Sequence, residues 1–179
     1  LAGNQQFDRQ WQDGVREVVL AFEGLSPALR EKLGLLAADL KTLKESLQQL
    51  VEPVGAAQQC AECGGACCRA GKYHFSRVDL LIYLVDGKEL FEPLFANGLC
   101  PYLAPQGCLI PVSYRPFNCI TFNCERIEDL LPEVDVTGFY RKERELRRLY
   151  GEIRSLFPDH AMYGAVLADS PSQASNVQG

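Results

Sequence analysis

Eight cysteines, all lying between Cys60 and Cys124, are the residues of this chain whose type and spacing could do chemistry. The first four stand as Cys60-x2-Cys63-x3-Cys67-Cys68. A two-residue gap lets both sulfurs of a C-x2-C unit turn towards one ion at Zn–S or Fe–S distance. Gly64 and Gly65 give the backbone freedom to bend round an ion and let amide N–H groups approach thiolate charge. The later four, Cys100, Cys108, Cys119 and Cys124, are separated by seven, ten and four residues. Eight thiols divide into two four-cysteine sites, or into one such site plus spare thiols, and both divisions are open. On a continuous helix Cys60, Cys63 and Cys67 would share a face, while Cys68 would sit about 80 degrees from Cys60. Cys68 can therefore serve a different site.

Thiolates gathered round divalent ions leave a negative site, for which Arg69, Lys72, Arg77 and Arg115 are available as nearby cations. Neither His74 nor His160 is singled out by spacing; His74 can complete a site as a nitrogen ligand, but the expected role is that of an ordinary polar histidine. Clustered cysteines in a reducing compartment usually hold metal, whereas disulfide frameworks belong mostly to smaller secreted domains. Were the set oxidised instead, the adjacent Cys67 and Cys68 would have to pair elsewhere. A single member such as Cys108 also fits as a plain small hydrophobe. No Ser-His-Asp set, paired histidines or phosphate loop points to another enzyme class.

Four spaced elements stand in order: Cys60 to Cys68, Cys100-Pro101-Tyr102-Leu103, Gly107-Cys108-Leu109-Ile110 and Arg115-Pro116-Phe117-Asn118-Cys119. Together they resemble the YkgJ-like cysteine cluster family, a zinc- or iron-chelating domain also found in flagellin lysine N-methylases. That family carries a C-x2-C…CC element followed by C-P-x-L, G-C-x-I and R-P-x-x-C. The resemblance covers the cysteine block and not the flanks. Here three residues, Gly64-Gly65-Ala66, precede the CC pair where the family commonly has two, Pro111 replaces a usual tyrosine, and Ile120 replaces a common arginine. The resemblance implies zinc or iron, an iron–sulfur cluster included, held by Cys60, Cys63, Cys67, Cys68, Cys100, Cys108, Cys119 and Cys124. It implies no settled reaction. The alternative it opens is an iron–sulfur redox or protein-modifying component related to the methylase. Against that stands the lack of a Gly-rich strand-to-helix element for a nucleotide-like methyl donor.

The elements that must position these residues are mostly helical. Phe7, Trp11, Val15, Val18 and Phe22 recur every three or four residues and predict an amphipathic helix ended by Gly24. Ser26-Pro27 supplies an N-cap and a first-turn proline. Leu29, Leu33, Leu36, Leu40, Leu43, Leu47 and Leu50 follow with spacings of 4, 3, 4, 3, 4 and 3. That heptad seam must be buried against another helix, either in an antiparallel hairpin with the first or in a partner or second copy. Ser76 to Asp79 reads as a helix start with a capping box, leading into Leu80 to Val85 and stopped by Asp86-Gly87. A short helical turn is expected over 89–96, and a small hairpin on either side of Pro105-Gln106-Gly107. Prolines at 101, 105, 111 and 116 exclude long strands. A last helix is expected over 137–157, with Arg141, Lys142, Arg144, Arg147 and Arg148 interleaved by acids as a solvated face.

The expected fold is thus mainly α: a helical arm over 1–54, an irregular cysteine-cluster core over 55–136, a C-terminal helical segment over 137–168 and a polar tail over 169–179. The 179 residues are 47% hydrophobic and carry a net charge of -5, which disfavours nucleic acid and anionic lipid as partners. The longest apolar run is far shorter than the ~18–20 residues of a membrane-spanning helix. No leader peptide is visible from Leu1, so the expected location is the cytoplasm.

Overall fold

The structure, a computed structural model, describes residues 2–56, 71, 73–94, 100–104 and 107–168. It is mainly helical. Helix α1 spans Ala2–Glu23 and α2 spans Pro27–Val51. The Ser26 side chain accepts from the Leu29 N–H at 3.4 Å, and Pro27 occupies the first turn, where its missing N–H would have no helical partner anyway. A 3-10 turn over Glu52–Val54 and Gly55, at φ +68, end α2 where the sequence places the limit of the arm. Helix α3, Arg77–Val85, starts with the expected box: Ser76 Oγ accepts from Asp79 N at 3.2 Å, and Asp79 Oδ2 accepts from Ser76 N at 2.9 Å. Val78 to Tyr83 are all buried, so α3 runs through the middle of the molecule.

The leucine seam finds its partner within the chain. Leu33, Leu36, Leu40 and Leu47 are buried, and the most extensive packing of α2 is against the last long helix, α6, over Glu133–Ser155. The second partner of α2 is a 3-10 turn at Val112–Tyr114. Helix α1 instead lies on α3, so the pairing of α1 with α2 expected from their short link is not a principal packing. The reason is chemical: α3 is apolar almost all round and offers a face to each, and α6 supplies Leu146, Leu149, Tyr150 and Ile153 to the seam's side. Trp11 of α1 joins an aromatic cluster with Phe75, Phe91 and Tyr102, at ring-centroid distances of 5.6, 5.6 and 6.1 Å.

Between α3 and α6 the chain is irregular. Residues 89–94 form no helix, contrary to the turn expected over 89–96; residues 95–99 lie outside the described ones. Strands β1 (Leu103–Ala104) and β2 (Gly107–Cys108) pair antiparallel, Leu103 opposite Cys108, for two residues a side, which is a chain reversal rather than a sheet. Helices α4 (Phe117–Thr121) and α5 (Glu125–Glu128) each start directly after a residue with extended-type backbone, Pro116 and Cys124. Helix α6 starts after Pro132, four residues before the expected Thr137. On its outer face Arg147 pairs with Glu143, and Arg148 with Glu145 and Glu152, as a solvated, self-neutralised face should. Beyond α6 the chain returns to the start of α3, where Val166 N donates to Phe75 O at 2.8 Å. The buried apolar residues, from Val18 to Leu167, form one cluster. Residues 169–179, the expected tail, lie outside the described ones. Among the described residues no helix is long and apolar enough to cross a membrane.

Candidate functional site

Cys60, Cys63, Cys67 and Cys68 lie outside the described residues, and the structure places the later four. Cys100 is buried on the cluster's edge. Its Sγ presses on Gly71, where a Cβ would come within 2.7 Å of the sulfur, so only glycine fits at this position without a shift. Burial pushes the Cys100 thiol up; the Tyr102 backbone N–H opposes this, and charge on Cys108 adds to it. Cys108 is exposed on β2, and the 101–108 reversal brings it into electrostatic range of Cys100. Cys119, on the exposed side of α4, has its Sγ 3.6 Å from Nδ1 of His74. Burial lowers the pKa of that imidazole and favours the neutral form, the form with a lone pair to give. Cys124 is half-buried at the start of α5. No disulfide joins any two of Cys100, Cys108, Cys119 and Cys124.

The donor chemistry of these groups suits zinc or iron: soft sulfur, with one imidazole nitrogen. Their arrangement is not that of a self-contained site. Among the described residues no three His, Cys, Asp or Glu side chains are gathered closely enough to hold an ion. Two of the later cysteines touch described residues that follow the first cluster in sequence. Cys100 touches Gly71, three residues after Cys68, and Cys119 touches His74, six residues after it. His74 is brought to a sulfur that sequence spacing did not pair it with; its only cue was its nearness to the first cluster.

Beneath this region is a polar network that the sequence analysis missed. Lys44 and Asp79 are 0% and 1% exposed, and Lys44 Nζ donates to Asp79 Oδ1 at 3.1 Å. The Tyr150 hydroxyl donates to the same oxygen, while Asp79 Oδ2 accepts from Ser76 Oγ at 2.6 Å and from Ser76 N. All four acceptor positions of the carboxylate are therefore filled. Burial pushes the Lys44 ammonium down; the Asp79 carboxylate opposes that, and Cys119 adds to the opposition. Burial likewise pushes the Tyr150 phenol well up, with Asp79 adding to it. Lys44 stands three residues before Leu47 and four after Leu40, the spacing that a helix places on its buried face, and that was the available signal. No family model, no curated protein and no solved structure matches this chain.

Proposed function

We propose that the chain is a cysteine-cluster protein that chelates zinc or iron, an iron–sulfur cluster included, and acts as a metal-binding module. The donor set is Cys60, Cys63, Cys67, Cys68, Cys100, Cys108, Cys119 and Cys124, with His74 as a nitrogen donor beside Cys119. The supporting observation is that sulfurs of the second group converge on the stretch that follows the first: Cys100 on Gly71 and Cys119 on His74. The YkgJ-like order of the cysteine elements supports the same reading. When bound, zinc would supply folding free energy to the cysteine block, and iron–sulfur would supply electron transfer. Reduced thiols as ligands suit a reducing compartment, and we place the protein in the cytoplasm on that ground.

The test is metal and sulfide content, with the visible spectrum, of protein purified anaerobically from cells supplied with both iron and zinc. Stoichiometric zinc in a colourless sample, or iron and sulfide with a broad brown absorption, is the expected result. Cys119→Ser should then lower the metal content at equal helix content by circular dichroism. Metal-free protein with all eight thiols open to a thiol reagent would overturn the reading.

A further inference from the structure

A cavity of ≈ 260 Å³ opens next to the Cys119–His74 contact, with His74 in its wall. Tyr73 and Ser76 line it from the chain ahead of α3, Asn118 from α4, and Arg147 and Arg154 from α6. Its charge is opposite to that of the whole molecule. No carboxylate lines it, and Asp79, which lies behind Ser76 and Tyr150, has its acceptor positions filled. Two arginines therefore line a cavity whose wall carries no carboxylate, although Arg147 pairs with Glu143 outside that wall.

Arg154 is the more telling of the two. Its guanidinium lies against the rings of Tyr150 and Tyr163, 5.8 and 5.3 Å from their centroids, which fixes its plane. Its Nε is buried and has no hydrogen-bond partner among the described residues. A buried charged donor without an acceptor is destabilising, and native structures rarely keep one without a use. Arg147 reaches the cavity from two turns earlier on α6, over the Phe117 ring at 4.7 Å. Its ion pair with Glu143 is partly at the surface, with 67% of the Arg147 side chain and 19% of the Glu143 side chain exposed, and the solvent contact of Arg147 keeps such a pair weak.

We infer that this cavity is an oxyanion site, taking the phosphate or carboxylate group of a small ligand, with Arg154 as a fixed fork and Arg147 and Asn118 closing on the same group. Planar guanidinium forks match both kinds of oxyanion in bidentate fashion, which is why two arginines rather than two lysines suit the role. The inference does not depend on the metal reading, since Arg154, Arg147 and Asn118 are not among the donors proposed for the metal.

The test is titration of the full chain with inorganic phosphate, and separately with succinate, at constant ionic strength balanced by chloride, following the arginine Nε–Hε signals by NMR. The expected result is a saturable shift of the Arg154 signal with at least one of the two anions. Arg154→Gln and Arg147→Gln should each weaken that binding by about tenfold or more, the loss expected for a charge-assisted hydrogen bond. Arg141→Gln, on the same helix but outside the cavity, should leave it within about twofold. Arg154→Lys keeps the charge and loses the fork, so it gives the same reading if Arg154→Gln fails to fold. Drift without saturation for both anions, or binding unchanged in the folded cavity variants, would overturn the inference. Metal content measured on the same samples separates this outcome from failure of the metal reading.

Discussion

Lys44 is the residue with most at stake for stability. It is 0% exposed, and its charge is matched by one carboxylate, Asp79. Removing one member of such a pair leaves the other charged and desolvated, which costs about 3–5 kcal/mol, whereas replacing both is often far milder. Lys44→Met should therefore lower unfolding free energy by about 3 kcal/mol, and Lys44→Met with Asp79→Asn should recover at least about 1 kcal/mol of that. Urea melts of the two variants measure both quantities; a loss below about 1 kcal/mol for Lys44→Met would mean that the site is wet. The pair also shows where reading by residue succeeds and fails. Ser76 and Asp79 are three apart, so their capping box is a local pattern and is legible in the sequence. Lys44 and Asp79 are 35 residues apart and Tyr150 and Asp79 are 71 apart, and no local spacing reports such meetings. The same limit applies to the candidate site: the C-x2-C spacing singles out Cys60 and Cys63 as a candidate pair, but only the fold puts His74 beside Cys119.

At the scale of elements, the heptad leucines state that α2 has a buried stripe and are silent on what covers it. A 3.5-residue repeat serves any apolar helix laid along it, and here α6 fills that place because the middle of the molecule is occupied by α3. Glycines within the helices separate contact from propensity. A Cβ at Gly34, in the middle of α2, would meet nothing within 4 Å, whereas one at Gly14 of α1 would lie 2.8 Å from Cγ1 of Val166. Gly34→Ala should stabilise the protein by about 0.5–1 kcal/mol, the helical advantage of alanine over glycine. Gly14→Ala gains the same local term but must displace a β-branched side chain docked from the far end of the chain, so it should be destabilising by about 1 kcal/mol or more. Thermal melts of the two variants should thus move in opposite directions; two increases would show that the segment ending in Leu167 does not hold α1 as described. The helix expected over 89–96 failed for a related reason. Leu90 and Phe91 pack onto the apolar cluster from irregular chain over 89–94, so tertiary burial overrode a weak local preference.

For the whole molecule, the buried phenols govern how stability depends on pH at the alkaline end. Burial pushes Tyr83, Tyr102 and Tyr150 well above the ordinary phenol value of 10.0, and Tyr114 up to about 12, where its hydrogen bond to Asp86 adds to the effect. An unfolded chain loses these protons near pH 10, while the folded chain keeps them, so the native state binds more protons above that pH and its advantage shrinks as pH rises. Lys44 acts in the other sense. Its folded pKa lies below the ordinary 10.5, so the unfolded chain binds the extra proton between those values and stability rises with pH across that window. One lysine cannot offset the tyrosines, and its contribution stops changing once pH passes 10.5, while theirs continues. Each strongly shifted phenol contributes a slope of about 1.4 kcal/mol per pH unit, or about 4 kcal/mol per unit for Tyr83, Tyr102 and Tyr150 together. Against a total stability of about 5–15 kcal/mol, that is enough to unfold the chain within a few pH units above 10. Absorbance near 295 nm reports phenolate, and circular dichroism reports helix. Tyr83, Tyr102 and Tyr150 should ionise together with helix loss, in one cooperative step above pH 10. Ionisation of these three near pH 10 with the helices preserved would show that the aromatic cluster round Trp11 and Phe75 admits water, and that the core joining α1, α3 and α6 is not closed.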